Sequence, residues 1–500
     1  VENPGKIRSD HESVEITAWV FPPGHQPDLV GKAGEVGGLR ARLAGLDADQ
    51  SDALIRALAA ASPASTSTES SGVVRPAEAG PLTAVQRVEV LGSLCERFLD
   101  PDDPLRNRAL GLLPANAALS HESATQLLDR MAADWTRERL RKLLELEFPD
   151  TRPGEGFGVP EGGDRSRVSI PIPSPLVLTI CSGTVPGVSV TAALRALLVG
   201  SSVILKPGAG DIALPLLFAE ALGEECPQLA AQLAVVYWQG GGGALEEAAL
   251  QAADRVVVYG GTETIASIRA RAHSSAQLVE YGHRVGLAVV GVDHEPPRLS
   301  ELADEVVEAV VPYEQRGCVS PVRVIAVGSA DRGREFAQAL AIALERRSAV
   351  QPGVRTPAEA AEAHQLRTTL ELRAAAGEEV TQLHGDGWLV TLDDGATEAA
   401  GGRVVPVIRV PSVLEVELRF NMSITGDGRR LTRSIPLQAV GISGFSTDVE
   451  SALAERAAHY GASRISPVRE MAWPPAWWRQ EGRGPLRALV SWAEWDRGNG

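Results

Sequence analysis

Between residues 175 and 292 one local rhythm repeats. A short apolar run leads into a glycine-bearing turn, and the turn into a helical pattern. Runs at 176–180, 203–205, 234–238, 255–259 and 287–290 read as strands. Helical patterns fill 188–198, 212–222, the stretch from Ala244, and 264–272. Strand, turn and helix in this alternation specify a parallel sheet covered by helices on both faces. Such a sheet binds its ligands at the carboxyl ends of its strands, where the turns lie.

The rest of the chain is organised around that unit. At 500 residues it is too long for one core, and two or three domains are expected. Residues 12–21 alternate like a strand and stop at Pro22-Pro23-Gly24. Residues 1–60 read as an N-terminal extension and 61–84, rich in Ser, Thr, Ala and Pro, as a flexible linker. From 85 to 148 the pattern is helical. Leu91, Leu94, Cys95 and Phe98 share one face, Leu127, Leu128 and Met131 another, and Pro149 is a stop. A Gly-rich charged loop follows at 151–167, and the nucleotide-binding unit extends to 292. Residues 293–440 form a second α/β unit: a helix at 299–311, a strand at 322–327, helices at 334–344 and 357–376, and strands at 388–392 and 404–410. Residues 441–500 end in a Trp- and Pro-rich tail, expected to pack on the first domain or at a subunit interface.

Charge narrows the partners. A net charge of −16 argues against nucleic acid and anionic membranes. No apolar run is long enough to span a bilayer, and residues 1–10 carry no apolar core of a signal peptide. The four cysteines are scattered, without CxxC pairs or metal-ligand spacing, which fits a reducing compartment and a cytoplasmic location. His273, His364 and His384 show no ligand spacing either, so no metal site is read.

Cys318 stands out chemically. It lies in Tyr313-Glu314-Gln315-Arg316-Gly317-Cys318-Val319-Ser320-Pro321, between a helical pattern and an apolar strand. Gly317 leaves backbone room for a bulky electrophile, and Arg316 is expected to favour the thiolate, the attacking form. Lys206 is the second candidate. Only four lysines occur (Lys6, Lys32, Lys142 and Lys206) against 44 arginines, so a lysine at a strand end is informative. A compact ammonium donates to hydroxyls and phosphate from one point. The Gly260-Gly261-Thr262 turn opens a helix whose bare N–H groups suit phosphate, as does Gly240–Gly243, though a plain turn is the stronger reading of the latter.

Several of these stretches together resemble the aldehyde dehydrogenase superfamily. They are Ser182-Gly183-Thr184-Val185-Pro186-Gly187 after the first strand, Val203-Ile204-Leu205-Lys206-Pro207, Val257-Val258-Tyr259-Gly260-Gly261, Gly282-His283-Arg284 and the Cys318 loop. With the tail Leu489-Val490-Ser491-Trp492, they are more similar to the Lux-type acyl-CoA reductases of bacterial fatty-acid reductase complexes, over roughly 85–500. The resemblance implies an aldehyde-dehydrogenase-like α/β fold. It also implies NADPH-dependent reduction of a fatty acyl-CoA or acyl-protein thioester to an aldehyde. Cys318 would be the acylated nucleophile, and Lys206, with Gly260, Gly261 and Thr262, would contact the dinucleotide. It further implies a homo-oligomer and an acyl-activating partner protein.

Three features depart from the superfamily. Thr184 stands where an Asn amide usually donates to the oxyanion; its hydroxyl either does the same or caps the next helix. Glu280 resembles the glutamate that activates water in hydrolytic aldehyde dehydrogenases, a reaction a reductase should avoid. Gly401-Gly402-Arg403 replaces a Glu-X-X-Phe-Gly-Pro element. Three other functions therefore stay open: a hydrolytic aldehyde dehydrogenase using Glu280, a thioesterase or acyltransferase without hydride transfer, and a non-catalytic scaffold. For Trp473, Trp477, Trp478, Trp492 and Trp495, packing or an interface is the stronger reading over an acyl channel.

Overall fold

The computed structural model describes residues 15–25, 27, 31–64, 80–159, 167–393, 397, 401–420 and 436–497, the side chain of residue 418 excepted. Most of the expected linker, 65–79, and residues 160–166 of the Gly-rich loop lie outside them.

The N-terminal stretch expected to be one strand is two, β1 (Glu15–Thr17) and β2 (Trp19–Val20), separated at the fully buried Ala18. β1 joins β3 (Lys32–Val36) and β4 (Leu39–Leu43) in a small sheet, while β2 crosses to the edge of the first large one. Helix α1 (Ala48–Ala61) starts at a capping box of Asp47 and Gln50. Four helices follow: α2 (Ala84–Glu96), α3 (Pro104–Ala117), α4 (His121–Ala133) and α5 (Arg137–Glu147). Their N-caps are Thr83, Asp103, Ser120 and Thr136, each accepting a backbone N–H. Leu91, Leu94, Cys95 and Phe98 are fully buried, as their common face predicts.

Strand β5 (Arg167–Pro173) stands apart from the sheet that follows it. That sheet is built from β6 (Leu176–Ile180), α6 (Val188–Val199), β7 (Ser202–Lys206), α7 (Ala213–Glu225), α8 (Pro227–Ala230), β8 (Leu233–Val236), α9 (Ala244–Ala252), β9 (Arg255–Tyr259), α10 (Thr262–Arg271) and β10 (Gln277–Tyr281). The strand order is β10-β9-β6-β7-β8-β2, parallel throughout except for β2. The chain runs outward from β6 through β8, then returns to β9 on the other side. The order therefore reverses between β6 and β9, and the carboxyl ends there are the expected ligand crevice. Helices α6 and α7 cover one face together with α2, and α1 and α9 pack on the other, so the N-terminal extension is part of this domain's core.

The second sheet comprises β11 (Val285–Gly291), α11 (Pro296–Val310), β12 (Pro321–Val327), α12 (Ala330–Val350), α13 (Pro357–Ala375), β13 (Thr381–Gly385), β14 (Trp388–Asp393), β15 (Val404–Val410), α14 (Val416–Phe420), β16 (Leu437–Ser443), α15 (Thr447–His459) and β17 (Arg464–Ser466). Its order is β13-β14-β15-β12-β11-β16-β17. Strand β11 pairs with β12 and β16, so the boundary between the sheets falls at 282–284 and not at 292. A strand apolar on both faces reads alike in either sheet, which is why sequence alone assigned β11 to the first.

The tail joins the two cores. Val468 and Met471 pack into the second, Ala472, Leu486 and Leu489 into the first. Strand β18 (Val490–Asp496) then pairs antiparallel with β5, leaving Trp492 and Trp495 exposed on the ribbon. Trp473 and Trp477 pack inward, Trp477 beneath the Lys142 ammonium at 4.4 Å.

The loops after β6 and β7 meet backbone to backbone. A Cβ at Gly208 would collide with the amide nitrogen and Cα of Gly183, neither of which can yield as a flexible side chain would. Gly208→Ala should therefore destabilise the protein by about 1–3 kcal/mol. The check is the midpoint of thermal denaturation against Gly223→Ala, whose added methyl meets nothing within 4 Å.

Candidate active site

Helix α11 delivers the chain to the Cys318 loop through an unusual turn. Tyr313, Glu314 and Gln315 all have positive φ, at 58°, 51° and 64°. Left-handed backbone costs an ordinary residue about 1–2 kcal/mol, so three in succession need outside support. Each is held. The Tyr313 hydroxyl donates to the Ala472 carbonyl at 2.8 Å. Glu314 accepts both prongs of the Arg403 guanidinium at 2.7 Å. Gln315 Nε2 donates to the Pro321 carbonyl at 2.8 Å. Gly401, Gly402 and Arg403 form a second left-handed run, with φ of 72°, 58° and 59°, and the Gly402 N–H donates to the Glu314 carbonyl at 3.1 Å.

Arg316 does not serve the thiol as expected. Its guanidinium is engaged by Glu359 at 2.6 and 2.8 Å and by the carbonyls of Ala117, Ala118 and Val354. Cys318 is exposed to solvent, with neighbouring protein close enough to perturb its thiol. Burial first, and the charge of Glu481 second, push its thiol up to about 11. Both effects favour the thiol over the thiolate.

Glu481 was not singled out in the sequence. It comes from the tail, with a side chain only 8% exposed, and its carboxylate accepts the Gly282 N–H at 3.1 Å, at the carboxyl end of β10. Arg284 lies 3.3 Å and Arg483 4.0 Å from it. No local pattern around Gln480-Glu481-Gly482 announces this role, because its partners are some 200 positions away. Glu280, one residue before Tyr281, is placed differently. Its carboxylate makes a bidentate pair with Arg269 of α10 at 3.0 and 2.6 Å, and the charge acting on Cys318 is that of Glu481.

The remaining candidates sit at the strand ends of the first sheet. Lys206 closes β7, half-buried, its ammonium 5.4 Å above the Tyr237 ring. Among the described residues no carboxylate lies within ion-pair distance of it. Desolvation lowers its pKa. Thr184 is exposed and does not cap α6. That task falls to the buried Asp211, whose carboxylate accepts the N–H groups of Gly187 and Ser189 at 2.7 and 2.8 Å, and which burial pushes up to about 7. Helix α10 begins at Gly261 with no side-chain cap, leaving Gly261 and Thr262 exposed. Gly241 and Gly242 have φ of 113° and 111°, and two glutamates, Glu246 and Glu247, occupy the first turn of α9. Arg271 pairs with both carboxylates.

A family model described as acyl-CoA reductase (LuxC) matches residues 84–492. The chain belongs to the LuxC family. As a LuxC-family protein it is an oxidoreductase acting at the aldehyde or acyl level. Its fold is that of the aldehyde dehydrogenases. It superposes on aldehyde dehydrogenase 21 from Physcomitrella patens, solved with succinate, at a TM-score of 0.70 and 13% identity over 96% of this chain and 98% of that one. The NADP-dependent glyceraldehyde-3-phosphate dehydrogenase of Bacillus halodurans, solved with NADP, gives 0.66 and 15% over 94% and 96%. An aldehyde dehydrogenase C variant from Pseudomonas syringae, solved with NAD+ and octanal, gives 0.66 and 14% over 96% of each chain. No curated protein matches the sequence.

The thiolate is the reactive form, so alkylation of Cys318 by iodoacetamide should accelerate as pH rises, with a midpoint near 11. Removing the opposing charge should ease ionisation: Glu481→Gln should lower the midpoint by up to about one unit. Mass spectrometry of the Cys318 peptide across a pH series checks both.

Proposed function

We propose that this protein reduces an acyl thioester, acyl-CoA or acyl-protein, to the aldehyde, with Cys318 as the acylated residue and NADPH as reductant. The observation that carries the reading is the position of Cys318. Its loop stands against the carboxyl edge of the first sheet, linked to β10 through Glu481 and Gly282.

The Cys318 sulfur attacks the thioester carbonyl, and the donor's thiolate leaves. The same sulfur departs again when the aldehyde is released, and cysteine suits both steps. Thr184, with an uncommitted exposed hydroxyl, and the Cys318 backbone N–H would donate to the carbonyl oxygen. The dinucleotide fits the residues at the strand ends. Lys206 offers a cation with no carboxylate at ion-pair distance among the described residues, and the α10 N-terminus offers N–H groups with no side-chain cap. Bound there, a reduced nicotinamide supplies the hydride. The 2′-phosphate that distinguishes NADPH from NADH would favour an ammonium such as Lys206. The Arg269 pair of Glu280 weighs against the hydrolytic alternative, since it holds the carboxylate in an ion pair.

In the test, a series of acyl-CoAs is supplied with NADPH or NADH. Aldehyde should appear with stoichiometric loss of absorbance at the nicotinamide band, faster with NADPH, and Lys206→Ala should raise the KM for NADPH about tenfold or more. Acyl-CoA consumption with flat absorbance would favour a thioesterase instead.

A further inference from the structure

We propose that Glu314 and Arg403 form a positioning pair that sets the Cys318 loop in its reactive geometry. The inference rests on Cys318 being the nucleophile. It does not depend on which thioester or dinucleotide the enzyme takes.

The pair joins two left-handed runs. Glu314 is the middle residue of 313–315 and Arg403 the last of 401–403. Their side chains are 1% and 0% exposed and meet through two parallel hydrogen bonds of 2.7 Å. The Arg403 guanidinium also donates to Ser348 Oγ at 3.2 Å and to the Gln351 carbonyl at 2.8 Å, at the end of α12. The left-handed turn is thus fixed to the second sheet's helical layer by a planar fork, four residues before the thiol. Tyr, Glu and Gln have little preference for positive φ, so this geometry is imposed from outside.

Stability is a poor reason for a buried ion pair, because apolar or neutral replacements of both partners are often as stable. Orientation is a better one. A guanidinium–carboxylate fork restricts the angle of both side chains as well as their distance, and a lysine cannot reproduce it. Arg316 with Glu359 clamps the same loop further on, but Arg316 has ordinary right-handed backbone. Among the described residues, Glu314 with Arg403 is the pair that grips the left-handed segment by a charged side chain.

The test uses the full chain carrying Glu314→Gln together with Arg403→Gln, which leaves no uncompensated buried charge, and Arg403→Lys, which keeps the charge and loses the fork. Two quantities are read at Cys318: single-turnover acylation from an acyl-CoA and the pH midpoint of iodoacetamide alkylation. Circular dichroism verifies folding. The expected result in both variants is acylation slowed about 10- to 100-fold, with little change in KM. The alkylation midpoint should move from about 11 toward the ordinary thiol value as the loop leaves its packed position. Folded variants that acylate at the wild-type rate, or that keep the wild-type alkylation midpoint, overturn the proposal. If the wild-type protein accepts no acyl group from any acyl-CoA, the thioester reading fails, and the alkylation midpoint alone decides the pair. Should the double variant not fold, Arg403→Lys carries the same comparison.

Discussion

The three left-handed residues before Gly317 are the constraint on which the site depends. Without them, helix α11 would lead directly into β12. With them the chain turns sharply, and Cys318 emerges exposed just beyond the turn. Such a turn is unfavourable in isolation. It exists because three separate parts of the chain supply partners: Ala472 from the tail, Arg403 and Gly402 from the loop before β15, and Pro321 at the start of β12. Cys318 is therefore placed by the assembled second domain and by the tail, and hardly at all by its own local sequence.

The tail has a comparable double role. It crosses from the second core to the first, contributes the carbonyl that holds Tyr313, and places Glu481 between Gly282 and the thiol. Its tryptophans fit that work. Trp473 packs edge-on to Tyr313 at 5.0 Å, and Trp478 donates to the Ser463 carbonyl at 3.0 Å. At the other end of the chain, β2 extends the first sheet and α1 covers one of its faces. Segments that read as additions at either terminus are structural members of the domains.

Most of the architecture was legible because it rests on local signals. Four apolar runs, each closed by a glycine turn, marked β6, β7, β8 and β9 of the first sheet, and the rarity of lysine marked Lys206 at the end of β7. What was not legible rests on distant partners. Arg316 reads as an activating charge until Glu359, 43 positions later, takes it up. Thr184 reads as a helix cap until Asp211 fills that role from the next loop. Glu481 and Arg403 have no motif of their own, since a buried charge is recognisable only with its partner beside it. Arg403 does lie in a stretch that the sequence reading singled out, Gly401-Gly402-Arg403, and there it meets the turn that precedes the thiol.

The proposed reduction asks one sulfur to accept an acyl group in a site that disfavours its thiolate. Intact-protein mass measured after incubation with an acyl-CoA, without any dinucleotide, tests this directly. The account predicts a mass increase of one acyl group, mapped by peptide fragmentation to Cys318 and absent from Cys318→Ala. An acyl group found on another residue, or persisting in that variant, would contradict it.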